Sequence, residues 1–175
     1  MKKILLAVII ATASTMAFAQ PRAIGVRTGV SGLEAAYEHN MNRNQILEAN
    51  FGIDFGYAAN GTPGVKATAI YNFVWARPAW TNKGSWALYA GPGLTMGYIN
   101  DSVHYKVNKD IVHYNEEGFM LGACVQAGLE YTFWFPLQLS VDLRPTIGGH
   151  FADRAGFYDN GLLGFSPNIS AKYRF

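Results

Sequence analysis

The last ten residues of the chain alternate strictly between two kinds of side chain. Pro167, Ile169, Ala171, Tyr173 and Phe175 fall on one side, and Ser166, Asn168, Ser170, Lys172 and Arg174 on the other. A strand has a period of two, so this segment presents one apolar and one polar face. A soluble sheet rarely leaves a terminal Phe exposed, whereas a membrane-spanning barrel strand turns its apolar face to lipid and its polar face to a lumen.

The same alternation recurs upstream and predicts eight strands. The first, 23–30, sets Ile24, Val26, Thr28 and Val30 outward against Gly25, Arg27 and Gly29. Ser31-Gly32 turns the chain into 33–40, where Leu33, Ala35 and Tyr37 oppose Glu34, Ala36 and Glu38. The third, 45–57, opposes Leu47, Phe51, Ile53 and Phe55 to Glu48, Asn50, Gly52 and Asp54. The fourth starts at Val65 and runs through Trp75, with Lys66, Thr68 and Asn72 inward and Ile70 and Val74 as imperfections. In the fifth, 85–99, Pro92 cannot donate to a ladder, so a bulge or a broken pairing is expected there. The sixth, 118–133, alternates from Phe119 to Phe133, and Trp134-Phe135 turns tightly into a seventh running from Leu137 to Ile147. A polar, aromatic-containing loop over 148–161 leads to the eighth strand, 162–175.

The connections sort by length. Those at 41–44, 77–84 and 134–135 are short and would face the periplasm; those at 58–64, 100–117 and 149–161 are longer and would face outward, as bacterial barrels prefer. Aromatic residues form two belts, Phe73, Trp75, Trp86, Tyr131, Phe133, Tyr173 and Phe175 at one end and Phe55, Tyr57, Tyr98, Phe119 and Phe165 at the other. Such belts mark membrane interfaces. The longest connection contains an echo, Val103-His104-Tyr105 and Val112-His113-Tyr114. With Asn108-Lys109 as a two-residue turn, His104 lies opposite His113 and Tyr105 opposite Val112, in a hairpin projecting beyond the membrane.

Composition adds a compartment. Lys2 and Lys3 precede an apolar run, and Ala17-Phe18-Ala19 has the small-x-small pattern of a secretory cleavage site, so residues 1–19 are expected to be a signal peptide and 20–175 one barrel domain. Without those two lysines the chain carries 12 basic and 12 acidic residues. The electrostatic footprint of a nucleic-acid binder is missing. Cys124 is the one cysteine and has no partner for an internal disulfide. No later segment approaches the ~18 to 20 apolar residues of a membrane helix, so insertion has to be by strands.

Together, the leader, the eight alternating segments, the stretch from Pro136 to Pro145 and the terminal Tyr173-Arg174-Phe175 resemble the small outer-membrane β-barrel domain family of the OmpX/OmpA-transmembrane type. The resemblance implies an all-β, eight-stranded antiparallel up-and-down barrel in the outer membrane of a Gram-negative-type bacterium, among lipid and lipopolysaccharide. It also implies that Tyr173 and Phe175 form the signal read by the barrel-assembly machinery. Family members include adhesins, structural anchors and proteins of no known activity.

The chemistry-bearing residues divide between lumen and loops. Arg27, Glu34, Glu38, Glu48, Asp54, Lys66, Glu130, Asp142, Arg144, Lys172 and Arg174 point inward, and eight strands enclose only enough room for side chains to fill. Opposite charges there are expected to pair and plug the interior; a narrow path for ions or small solutes through a breakable ion pair is the alternative. His104, Tyr105, His113 and Tyr114 define the projecting hairpin. Two histidines fall short of the three or four ligands of a zinc site, so no metal or cofactor is expected. A lipid-modifying enzyme would need a triad from Asp101, Ser102 and His104 or from His150 and Asp153, and nothing in their spacing establishes one. Adhesion or recognition of a host or surface protein remains the leading expectation, with a purely structural membrane protein second. Free hairpin edges and the aromatics Tyr105, Tyr114, Phe157 and Tyr158 would supply the contacts.

Overall fold

A computed structural model describes residues 21–55, 62–107 and 110–175, with 101–107 and 110–116 described through the backbone alone. The expected signal peptide, most of the 58–64 connection and the Asn108-Lys109 turn lie outside the described residues. Ten β segments are present among the described residues: β1 (Arg22–Gly29), β2 (Gly32–Asn42), β3 (Gln45–Asp54), β4 (Gly64–Ala76), β5 (Ser85–Val107), β6 (Asp110–Thr132), β7 (Leu137–Leu143), β8 (Thr146–Phe151), β9 (Ala155–Asp159) and β10 (Asn168–Arg174). Every pairing is antiparallel, and the sheet closes on itself.

The ten segments make eight staves. β7 and β8 both pair with β6, at 127–132 and 119–124 respectively, and so form one stave interrupted at Arg144-Pro145. β9 and β10 are the two parts of the last stave. β10 pairs with β7 on one side and with β1 on the other, from Ala23↔Arg174 to Thr28↔Ile169, which closes the barrel.

Alternation governs the two faces as the sequence predicts. Along β2, Glu34, Ala36 and Glu38 are buried while Leu33, Ala35 and Tyr37 are exposed. In the last segment Asn168, Ser170 and Lys172 are buried and Ile169, Tyr173 and Phe175 exposed. Ile70, an imperfection in the pattern, is buried inward and nearly inaccessible. Tyr89 also points inward; the neighbouring Gly128 leaves room for it, since a Cβ at Gly128 would lie 2.5 Å from the Tyr89 hydroxyl.

Pro92 breaks one ladder. Between β4 and β5 the pairing stops at Ile70↔Gly93 and resumes at Phe73↔Ala90 in the same register, while the β6 side continues through Pro92↔Val125. The expectation of a broken pairing holds, and the missing N–H is its cause. Register shifts occur instead at Asn40/Asn42 and Val74/Ala76, next to turns at the same end of the barrel.

The last third of the chain departs from the expected layout. The loop anticipated over 148–161 is largely a hairpin, β8 and β9, paired from Ile147↔Asp159 to Phe151↔Ala155. The eighth strand does not begin at Leu162: a 3-10 turn occupies Gly161–Phe165, and strand starts only at Asn168. Leu162, Leu163 and Phe165 are apolar without a two-residue alternation, and the segment docks on the break in the preceding stave. There Asn160 accepts a hydrogen bond from the Thr146 N–H at 2.8 Å and donates one to the Arg144 carbonyl at 3.0 Å. The Arg144 N–H donates to the Gly164 carbonyl at 3.0 Å. A Cβ on Gly164 would meet Asn160 Oδ1 at 2.4 Å and Pro145 Cα at 2.7 Å, so only glycine fits there.

Asn160→Ala is expected to destabilise the barrel by about 1–3 kcal/mol, because it strips partners from two backbone groups beside Pro145. A urea-unfolding midpoint unchanged from that of the parent barrel would show that the bracing is dispensable.

Candidate functional site

Inward positions on β1, β2, β3, β6, β7 and β10 bring most of the predicted charges into one network. It starts from Arg27, whose guanidinium donates to Asp142 at 2.6 Å and to Glu34 at 2.9 Å. The Glu34 carboxylate is shared: Arg144 also donates to it at 2.9 Å. Arg144 reaches on to Glu48 at 3.4 Å, and Lys172 holds Glu48 at 3.5 Å and Glu38 at 2.9 Å. Gln138 then donates to both Glu38 and Glu130 at 2.6 Å, and Thr132 to Glu130 at 3.2 Å.

Register explains why these partners are needed. Glu38 and Glu48 are directly opposite one another on β2 and β3. Like charges so placed repel. Lys172 enters from β10 and bridges both. The cross-lumen pairs are far apart in the chain, 115 residues for Arg27 and Asp142 and 134 for Lys172 and Glu38. A second, smaller pair, Lys66 with Asp54 at 3.2 Å, lies on β3 and β4 toward the opposite end from the termini.

Ten of the eleven predicted lumen charges are thus placed inside. Arg174 is half-buried and stands apart, at the terminal end, where it lines a cavity of about 280 Å³ with Arg43, Arg77 and Glu130. Sequence reasoning did not single out Gln138 or the neutral links Asn72–Gln126 and Thr68–Thr95. Their inward parity was the available signal.

At the other end β5, β6, β8 and β9 form a small closed ring. β5 pairs with β6, β6 with β8, β8 with β9, and β9 returns to β5 through a single bridge, His104↔Phe157. Ile99, Met120 and Tyr158 form a buried apolar cluster, and His150 is fully buried on β8, opposite Met120. Tyr158, expected as a surface contact, is therefore interior, while Phe157 is about half exposed. Asp153 sits in the exposed β8–β9 turn, apart from the buried His150.

Beyond the ring, β5 and β6 continue as a two-stranded ladder to Val107↔Asp110. His104 faces His113 and Tyr105 faces Val112, and Val103 faces Tyr114; the side chains of this ladder lie outside the description. The bridge to Phe157 occupies one point on the β5 edge, where the sequence suggested a free one. Among the described residues, no group of three His, Cys, Asp or Glu is arranged to hold a metal. Tyr173 and Phe175 are exposed on the outer face beside the β1–β10 closure, where the Phe175 N–H donates to the Arg22 carbonyl at 2.9 Å.

No family model matches the chain, and no curated protein matches it in sequence. Its fold is similar to that of the N-terminal β-barrel domain of Pseudomonas aeruginosa OprF, with a TM-score of 0.50 at 11% identity over 89% of this chain and 96% of that one. Ail, the attachment invasion locus protein of Yersinia pestis, aligns with a TM-score of 0.31 at 12% identity over 89% of this chain and 95% of Ail. Ail in complex with the heparin analogue sucrose octasulfate gives 0.32 at 14% identity, with the same coverage. The chain has the eight-stranded up-and-down fold of small outer-membrane barrels.

Arg27→Ala removes a cation shared by two buried carboxylates and is expected to cost about 3–5 kcal/mol of stability. Unfolding of the refolded barrel in detergent measures it. A loss below about 1 kcal/mol would mean that the lumen readily supplies another partner.

Proposed function

We propose that this chain is an outer-membrane barrel with a plugged lumen, whose working surface is the ladder projecting from the end opposite the termini. The observation that carries the membrane assignment is the inversion of the usual distribution. Val26, Phe51, Leu94, Val125, Val141 and Ile169 are about half exposed or more on the outside, while Arg27, Glu48, Asp142, Arg144 and Lys172 are buried within. In water such an outer face would be a large apolar patch; in lipid it is the favourable arrangement. Export by the expected signal peptide and recognition of Tyr173 and Phe175 by the barrel-assembly machinery are consistent with this location.

Two features support the plugged lumen. The ion-pair network crosses the interior through Arg27, Arg144 and Lys172, and the Ile99, Met120 and Tyr158 cluster closes the far end with apolar side chains. Recognition is the role left to the ladder. β5 loses its β4 partner after Tyr98 yet stays paired with β6 to Val107, a projection of about 30 Å at the usual rise per residue. Such a braced two-stranded arm presents main-chain edges and alternating side chains to a protein ligand on another surface.

The protein refolded into a planar bilayer is expected to be electrically silent. Arg144→Ala, which frees Glu34 and Glu48 from one partner, tests whether the network is the barrier. Steady channels from the parent protein would assign solute passage instead. For recognition, deletion of 103–114 is expected to leave a heat-modifiable, folded barrel and to abolish attachment of expressing cells to host cells. Attachment unchanged by that deletion would leave a structural role in the membrane.

A further inference from the structure

Charge is not evenly matched along the lumen. Glu34, Glu38, Glu48, Asp54 and Asp142 each lie within ion-pair distance of an arginine or lysine. Glu130 is the exception among the six lumenal acids. It is 6% exposed, and among the described residues its carboxylate accepts only from the neutral Gln138 and Thr132 side chains. Lys172 lies within ion-pair distance of Glu38 and Glu48 instead. A carboxylate has room for about four hydrogen bonds, so two positions on Glu130 remain open.

Glu130 lines the cavity at the terminal end. Its wall carries Glu130, Thr132 and Gln138 below, all buried, and Arg43, Arg77 and Arg174 around the mouth. Arg77 is steadied by donating to the Arg43 carbonyl at 2.8 Å. Neither Arg174 nor the other two guanidiniums comes within 4.0 Å of Glu130. The opposite charges are therefore held apart across a space of about 280 Å³, just under the ~300–1,000 Å³ of drug-sized sites.

We propose that this cavity binds a small zwitterionic solute carrying an ammonium and a carboxylate, of the amino-acid class. The ammonium donates to Glu130, completing the one acid among the described lumenal acids that has no cation within ion-pair distance. The carboxylate lies toward Arg174, Arg77 and Arg43, where guanidinium donors suit it. A simple anion would leave Glu130 uncompensated, and a simple cation would have to pass three arginines. The zwitterion satisfies both ends at once. The inference is independent of whether the far ladder recognises a partner.

The test is an NMR titration of the protein refolded in detergent micelles, with γ-aminobutyrate as probe and butyrate and butylammonium as its two halves. Saturable shifts of the Thr132, Gln138 and Arg174 amides are expected with γ-aminobutyrate. Each half-probe is expected to bind about tenfold more weakly or worse, a difference of about 1.4 kcal/mol. Glu130→Gln and, separately, Arg174→Gln are expected to weaken the zwitterion by a similar factor; the second lies at the rim, outside the ion-pair network, and so does not depend on the first variant folding. Butyrate binding as tightly as γ-aminobutyrate, and undiminished in Glu130→Gln, would overturn the proposal in favour of an anion site made by the arginines. No saturable response to any probe would overturn it in favour of a water-filled cavity over a neutral Glu130.

Discussion

The sharing of Glu34 between Arg27 and Arg144 is the interaction on which the rest of the interior depends. An eight-stave barrel leaves its interior only enough room for side chains, so the inward polar groups must satisfy one another. Glu34 links the Asp142–Arg27 pair to the Arg144–Glu48–Lys172 chain. Removing either arginine leaves the same carboxylate with half its compensation. The network therefore acts as a set of cross-braces between staves distant in the chain, in a fold whose outer apolar face gains nothing from packing against itself.

Both ends of the barrel are closed differently. At the terminal end, polar side chains from turns and stave ends surround a small cavity above Gln138 and Glu130. At the other, β5, β6, β8 and β9 contract into a four-membered ring around Ile99, Met120, Tyr158 and His150. The stave that leads into this ring is interrupted at Arg144-Pro145, where Asn160 takes over the backbone hydrogen bonds. A polar brace thus positions an apolar seal.

Much of this was legible in the sequence because parity in a strand survives any tilt of the stave. The alternation from Leu33 to Glu38 or from Asn168 to Phe175 assigns each side chain a face without knowledge of its neighbours. Pro92 announced its broken ladder through a missing donor. Parity says nothing, however, about which inward residues meet across the lumen: Arg27 and Asp142 are 115 positions apart, and only closure of the ring brings them together. It also failed from 148 to 165. There the apolar Leu162, Leu163 and Phe165 imitate a strand, and the polar 148–161 stretch conceals a hairpin whose Tyr158 is interior. Arg43 and Arg77 escaped notice because they sit beside turns, where facing cannot be read from alternation.

The seam between β1 and β10 carries a further consequence, for the order of events during biogenesis. Thr28 pairs with Ile169 and Ala23 with Arg174, so β1 has to wait for β10, more than 130 positions on, before its second edge is covered. Contacts this distant in sequence form late and slowly, since the intervening chain must be confined before any of them is made. Until then β1 and the growing sheet present two open edges, each a template for pairing with another chain. Closure is thus the step that removes both edges at once, and a single antiparallel pairing accomplishes it.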